Sequence, residues 1–357
     1  MTANVGLDIG TSAVRAALVE TSKKGPPILK KFAEVALPSG AIQNGEIVDE
    51  TVLQDALTRL FKEAKIPKKN VIVGIANQRV IVRQISVPYM QESELAESLA
   101  FQAQEYIPIP IDEAILDFVP LEEFSTPEGE ARMSIMVVAA QKEMASDVVR
   151  ILGGAGIKPK AIDLQAFALV RAATGGDIDL SPNPKAIVNI GASLTQVLVI
   201  KGGTLRFLRI VPNGGNDFTR SVTDALGIDL EQADLLKRRL GVAIEGMPTG
   251  DDPDAVAMAA LTRQADALVD EVRSSLDFYL SSAEDGGIDT IMIAGNGARL
   301  PHLANRMRVQ LNMQLQPVAL LNSDRLSVGK TGLTEEELNQ TQPVLPVAVG
   351  LALWGEA

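Results

Sequence analysis

Cysteine is absent from this 357-residue sequence, and histidine occurs once, at His302. Disulfides, thiolate nucleophiles and cysteine-held zinc are thereby excluded, and one imidazole supplies neither a metal-binding pair nor a catalytic dyad. Any metal must be held by oxygen. Positive charge is also scarce: 33 Lys and Arg stand against 45 Asp and Glu, a net charge of -12. Such a chain repels phosphate backbones and anionic lipid, which argues against nucleic acid or bare membrane as a partner. No apolar run approaches the roughly 20 residues of a spanning helix. The opening MTANVGLDIGTSAV has no basic region ahead of its apolar stretch, so no secretory leader is expected and the address is cytoplasmic. What remains is ample core material, 46% hydrophobic against 22% charged, in a chain longer than one core usually carries. Two or more packed units are expected.

Along the chain, β-rich runs at Val5 to Ile9, Ala13 to Glu20 and Phe32 to Leu37 precede helical spacing from Val52 to Ala64. Strands are then expected at Val71 to Ala76, Val80 to Val87, Ile115 to Pro120 and Met133 to Ala140, with helices at Ser93 to Tyr106 and Lys142 to Leu152. Residues 78–158 read as a small α+β insert. Its first helix carries Leu95, Leu99, Ala103 and Tyr106 on one stripe, and Pro108 and Pro110 end it. A peptide-binding groove is expected along that stripe and the Ile107-Pro108-Ile109-Pro110 segment; the alternative is that the stripe packs the insert's own sheet.

The most informative feature is a duplication. Gly6-Leu7-Asp8-Ile9-Gly10-Thr11-Ser12 aligns without a gap over Ile187-Val188-Asn189-Ile190-Gly191-Ala192-Ser193, and the strands that follow, Ala13 to Val19 and Leu194 to Ile200, align too. Each copy is a strand, a glycine turn and a returning strand, so turn amides and a hydroxyl can face one anion. Two such turns facing each other would clamp a polyphosphate. The plain alternative is a pair of hairpins whose glycines satisfy positive φ. Asp8, at a strand end, suits Mg²⁺ held through water, because Mg²⁺ prefers one or two carboxylates plus phosphate oxygens. Arg15 suits a phosphate or, equally on spacing, an exposed strand position. Asn189 stands where symmetry would place a second acid, which predicts slow hydrolysis.

A third glycine turn, Gly295-Asn296-Gly297-Ala298-Arg299, follows the run Asp289 to Ala294 and precedes helical spacing from His302 to Leu311. Strand, glycine turn and helix suit the edge of a nucleotide. Between these motifs lie a strand at Leu205 to Val211, a turn at Asn213-Gly214-Gly215, and helices at Asp217 to Leu226 and Leu230 to Gly241. The second helix carries Asp234 and Lys237 at i and i+3, a spacing that also describes a surface ion pair.

In this order and spacing, Gly6 to Ser12 resembles the first phosphate loop of the actin, Hsp70 and sugar-kinase ATPase superfamily. Ile187 to Ser193 resembles the second loop, and Gly295 to Pro301 the adenosine loop. The segment Ser93-Glu94-Leu95 through Gln104-Glu105-Tyr106-Ile107-Pro108, followed by Ile115-Leu116-Asp117-Phe118, is similar to the PilM family of pilus assembly proteins, relatives of the division actin FtsA. The resemblance implies an α/β actin-like ATPase fold: ribonuclease-H-like halves around a nucleotide cleft. Subdomain 1A would comprise residues 1–77, 159–190 and 341–357, subdomain 1C residues 78–158, and domain 2 residues 191–340, with 2B at about 228–286.

It implies ATP and Mg²⁺ as ligands, with Asp8, Gln165 and Asn189 as the catalytic set and Asp8 at the metal. Contacts to nucleotide fall to Gly10, Thr11, Ser12, Arg15, Gly191, Ala192, Ser193, Gly214, Gly295, Asn296, Gly297 and Arg299. Ala161 to Leu169 resembles the first connecting helix, whose start supplies the water-orienting residue, here Gln165; a neutral amide can orient a water but cannot take its proton. Asp234 and Lys237 resemble the pair that meets ribose hydroxyls. Val344 to Trp354 resembles the second connecting helix, with Trp354 expected in packed core.

The family resemblance also implies a role at the cytoplasmic face of the type IV pilus machine, beside other platform proteins. The chain would be peripheral to the inner membrane and take up the N-terminal cytoplasmic tail of PilN between 1A and 1C. Nucleotide would then act as a conformational input. A homo-oligomer is left open. Two rival readings are an FtsA-like or other filament-forming actin and a sugar or acetate kinase. FtsA relatives end in a membrane-binding amphipathic helix, whereas here only Gly355-Glu356-Ala357 follow Trp354; a kinase would need a carboxylate base beside a substrate pocket.

Overall fold

A computed structural model describes residues 2–23, 25–175, 183–283, 286–321 and 323–355. The chain opens with three antiparallel strands, β1 (Thr2–Ile9), β2 (Ala13–Ser22) and β3 (Gly25–Ala36). A two-residue-per-strand hairpin, β4 (Ile42–Gln43) and β5 (Glu46–Ile47), leads to helix α1 (Glu50–Glu63), which Asp49 caps by accepting from the Val52 amide. Strand β6 (Val71–Ile75) then returns parallel to β1.

The insert follows as β7 (Ile81–Pro88), α2 (Glu92–Ala103), β8 (Ala114–Ser125), β9 (Ala131–Gln141) and α3 (Lys142–Gly154). Its sheet has the order β7-β9-β8. Leu95, Leu99, Ala103 and Ile107 are buried with Ile85, Val87, Ile135 and Val137 in the insert's own core. The expected groove along that stripe is therefore corrected: three apolar side chains spaced 4 apart are what the insert needs to cover its sheet, and of the four stripe residues only Tyr106 is exposed. Helix α3 packs elsewhere, Val148, Ile151 and Leu152 joining Leu53 and Leu57 of α1 in the core of the first sheet.

Strand β10 (Pro159–Leu164) runs parallel to β6, and helix α4 (Gln165–Thr174) follows at once. The expected helix at Ala161 to Leu169 is thus half strand. Ala161 and Ile162 alternate in a sheet-edge register that their local helical spacing does not reveal.

The second half repeats the plan. Strands β11 (Lys185–Ile190), β12 (Thr195–Lys201) and β13 (Thr204–Val211) form an antiparallel meander, followed by α5 (Gly215–Leu226) and α6 (Leu230–Leu240). The sequence reading passed over the next element, the 30-residue helix α7 (Pro253–Ser282), capped by Asp252. Strand β14 (Thr290–Ala294), α8 (Leu303–Leu311), β15 (Gln314–Pro317), β16 (Ser327–Val328), α9 (Glu335–Thr341) and α10 (Leu345–Ala352) complete the chain. One sheet has the order β10-β6-β1-β2-β3-β16 and the other β15-β14-β11-β12-β13. Five strands in the same order, with the same two parallel and two antiparallel pairings, make the duplication visible as architecture.

Helices α4 and α10 lie between the sheets. A Cβ at Gly350 of α10 would fall less than 3.0 Å from the Ala168 carbonyl oxygen of α4, and one at Gly6 of β1 less than 3.0 Å from that of Ala348. Only glycine permits this approach of backbones. Val82 of β7 reaches the same cluster, which also holds Ile72, Leu169, Ile187, Leu198 and Leu351.

Candidate functional site

The two duplicated turns meet. Gly10 donates its amide to the Ala13 carbonyl at 3.0 Å, and Gly191 donates to that of Leu194 at 2.8 Å, the same bond in each half. Neither glycine has positive φ, so the plain hairpin explanation fails. Space selects glycine instead: a Cβ would lie 3.1 Å from the Ala13 carbonyl oxygen at Gly10 and 2.8 Å from that of Leu194 at Gly191. Thr11 Oγ1 and Ser193 Oγ share a 2.6 Å hydrogen bond that joins the two turns directly.

One cleft is lined by Asp8, Gly10, Thr11, Ser12 and Arg15 from the first half and by Asn189, Gly191 and Ala192 from the second. Gln165, Gly295 and Asn296 complete its expected wall. Its water-accessible volume is about 70 Å³. Ligand sites commonly offer ~300–1,000 Å³, so a nucleotide enters only if the halves part and the Thr11–Ser193 bond opens.

Asp8, next to last in β1, lies opposite Arg15 on β2 and is 5% exposed. Its Oδ1 accepts from Gln165 Nε2 at 2.7 Å, and its Oδ2 lies 3.5 Å from the Arg15 guanidinium. Burial pushes the Asp8 carboxyl above the usual aspartate range, Arg15 opposing the shift and Glu34 adding to it. Arg15 is buried rather than an exposed strand cation, and its Nε donates to Glu34 at 2.5 Å. Gln165 opens α4, as expected, and its Oε1 accepts from Gln196 Nε2 at 3.0 Å.

Gln196 is the residue that motif reading missed. It lines the cleft, pairs across the strands with Asn189, and leaves its Oε1 buried without a partner among the described residues. The signal was available: the offset that sets Asp8 over Asn189 also sets Arg15 over Gln196. A charged cross-strand pair in one half is a neutral amide pair in the other.

Of the remaining expected contacts, Gly214, Gly297, Arg299, Asp234 and Lys237 stand back from the cleft wall. Gly214 packs behind the second turn, where a Cβ would come within 2.8 Å of the Ala192 backbone, and Gly297 likewise backs on Ile190. Gly295 has φ of +92° and donates its amide to the Pro343 carbonyl at 2.7 Å. Arg299 donates to Asn296 Oδ1 at 3.1 Å and to the Gln340 carbonyl. Burial holds its guanidinium below the usual arginine value, with Arg15 and Arg238 adding to the effect and Glu34 opposing it. Asp234 and Lys237 form an ion pair at 2.5 Å, and Lys237 also donates to Thr219 Oγ1 at 2.7 Å and to the Gly215 carbonyl at 3.3 Å. Both are outside the cleft lining, packed against α5. Trp354 is 36% exposed under Lys160, 5.3 Å from ring centroid to Nζ, rather than packed in core.

The chemistry of the wall fits Mg²⁺ with a polyphosphate. Asp8 is the one carboxylate on the lining, and no group of three acidic or histidine side chains is placed to hold a metal ion among the described residues. That set cannot cage a metal alone, but Asp8 acting through water, with phosphate supplying the other oxygens, would suit Mg²⁺. The unpartnered Gln196 Oε1 leaves a buried acceptor for a donor bound in the cleft.

A family model described as type IV pilus assembly protein PilM matches residues 6–356. The chain belongs to that family. Among solved structures, the PilM-PilN type IV pilus biogenesis complex is 29% identical, with a TM-score of 0.84 over 99% of this chain and 98% of that one. MreB5 of Spiroplasma citri bound to ADP, 14% identical with a TM-score of 0.51, shares the actin-like fold. The cell division protein FtsA of Bacillus subtilis is 25% identical over 264 residues, and that of Escherichia coli K12 is 22% identical over 396. The matched region covers 67% of this chain and 58% of the B. subtilis FtsA. The match to the PilM model over nearly the whole chain decides between the pilus and division readings in favour of PilM. No helix among the described residues is long and apolar enough to cross a membrane.

Proposed function

We propose that this PilM-family protein binds Mg-ATP between its two halves and docks the N-terminal cytoplasmic tail of PilN, so that nucleotide state becomes an input to pilus assembly. The observation that carries the nucleotide half of this reading is the pair of equivalent turns bridged by Thr11 and Ser193, with Asp8 the one carboxylate beside them. Turn amides and hydroxyls would hold the phosphates, Asp8 would hold the metal through water, Arg15 would offset charge, and Gln165 and Asn189 would orient a water without accepting its proton. Mg²⁺ would supply charge neutralisation of the phosphates. Gly295, Asn296, Gly297 and Arg299 face the nucleoside, and Asp234 with Lys237 meets the ribose when α5 and α6 move with the second half.

The partner half rests on the likeness to the PilM-PilN complex. With 1A and 1C assigned as residues 1–77, 159–190, 341–357 and 78–158, the tail lies between them, and the chain works at the cytoplasmic face of the inner membrane through that contact. Calorimetry tests both halves together. The expected result is Mg²⁺-dependent ATP binding that Asp8→Ala weakens at least tenfold, and micromolar-class binding of a synthetic PilN tail peptide, about -8 kcal/mol. Equal ATP affinity in wild type and variant, with and without Mg²⁺, would refute the metal placement; absence of peptide binding would refute the partner.

A further inference from the structure

The insert touches both halves of the molecule, although the sequence places it within the first. Val82 of β7 and Leu208 of β13 pack against one apolar cluster, and Arg206 of β13 donates from its guanidinium to Glu122 of β8 at 3.2 Å. The Arg206 side chain is 16% exposed, and its Nε is buried without an acceptor among the described residues. A long cation has been carried into a seam and only partly satisfied there. Two residues past the other end of β13 is Asn213, whose carbonyl accepts from Thr195 Oγ1 at 2.7 Å. Past Gly214, the first two amides of α5, Gly215 and Asn216, donate to the carbonyls of Gly191 and Ala192 at 2.9 and 2.7 Å. A single strand of about 26 Å thus joins the second phosphate turn to the insert.

We propose that β13 reports occupancy of the cleft to the insert, with the Arg206–Glu122 contact as the coupling point. This rests on the nucleotide reading above. A polyphosphate entering between the turns must break the Thr11–Ser193 bond and resettle the second turn. The amides of Gly215 and Asn216 tie that turn to the start of α5, just beyond β13. Strand β13 is paired along β12 without interruption from Val211 to Phe207, so a shift of the turn is carried to Arg206, where the register breaks at a bulge. Its far end then moves against Val82 and Glu122. Arg206, with one donor free, gains a second arrangement in the seam, so two packings are available for the cleft to choose between.

Hydrogen exchange on the full chain tests this, with Mg-ADP and the Mg complex of a non-hydrolysable ATP analogue as probes and calorimetry alongside. In the wild type, nucleotide is expected to change exchange in residues 81–88 and 114–125 by about fivefold, the lower end of ordinary coupling between sites. Arg206→Met and Glu122→Gln should each bind nucleotide within about threefold of wild type yet lose the response in the insert. The exchanged pair Arg206→Glu with Glu122→Arg should regain it, which loss of packing alone cannot explain. Nucleotide binding with no response in the wild-type insert, or an unchanged response in the single variants, overturns the proposal while leaving the nucleotide site standing. Failure of the wild type to bind either probe overturns the nucleotide reading and this proposal with it.

Discussion

Replacing Asp8 with asparagine separates the cost of burying this carboxylate from its use. Asp8 is 5% exposed, and burial raises its pKa above the ordinary 3.8. A group whose folded-state value is raised contributes stability fully below its unfolded value and loses that contribution as pH climbs through the folded one. The ionised carboxylate therefore weighs against the fold at neutral pH. Asp8→Asn keeps an oxygen for Gln165 Nε2, which now donates at 2.7 Å, and Arg15 keeps Glu34 at 2.5 Å, so no buried charge is orphaned. The variant should gain on the order of 1 kcal/mol, the usual yield of relaxing a functional site. In a chain of this size that is about 1 °C in Tm. Thermal melts without nucleotide across a pH series should show the gain largest at neutral pH and shrinking as pH falls towards 3.8. Mg-ATP affinity measured on the same samples should fall at least tenfold, about 1.4 kcal/mol. A variant less stable than wild type at neutral pH, or a gain indifferent to pH, would refute this account of Asp8.

Other expectations are simpler. Wild-type turnover of ATP should sit well below the ~10 s⁻¹ median of enzymes, and Asn189→Asp should raise it about tenfold; a wild-type rate at the median shows the two amide positions misread. Gln165→Glu should instead set two carboxylates in contact with each other at Asp8 and weaken Mg-ATP binding severalfold by calorimetry. Gly350→Ala should cost about 3 kcal/mol in urea unfolding, because its new methyl meets the Ala168 carbonyl with only helix separation to relieve it; a neutral result would mean that α4 and α10 cross less closely. Arg306→Met should cost about 2 kcal/mol, since the buried guanidinium holds Asp266 at 2.6 and 2.8 Å. Asp266 is held low by Arg306 and Gln310 against the effect of burial, so its contribution is present above 3.8 and lost as pH falls through the folded value; acid melts should show the wild type converging on the variant.

The halves of the fold were legible because the duplication is written in residues that cannot be exchanged. Gly10 and Gly191 are fixed by carbonyls beside them, and the β-branched runs around them have no helical reading. Helix α7 was not legible. In its first half the apolar positions are mostly alanine, with Ala257, Ala260 and Ala265 buried, and alanine carries little periodic signal in a hydropathy pattern. Strand β10 failed for the opposite reason, being short, edge-like and continuous with the helix that Gln165 begins. In the site, Asp8 and Arg15 were found from chemistry, whereas Gln196 has none that calls attention to itself. Only the register of the repeat identifies it, and only the fold shows that its amide is bonded to Gln165.

That register carries a physical consequence. The first half places a carboxyl and a guanidinium, Asp8 and Arg15, near the strand ends beside the cleft; the second places Asn189 and Gln196 at the equivalent points. A second carboxylate at Asn189 would share a desolvated cleft with Asp8, each raising the other's pKa, and the cost would be greatest when the halves close and water leaves. Amides remove that penalty: Gln196 can donate to Gln165 while Gln165 donates to Asp8, a chain of bonds that crosses from one half to the other without opposing charges. The same substitution that deprives the site of a second acid therefore lets the cleft stay shut. In the proposed reading this is the trade a nucleotide-held switch requires, with closure that is cheap to maintain and hydrolysis that is slow to end it.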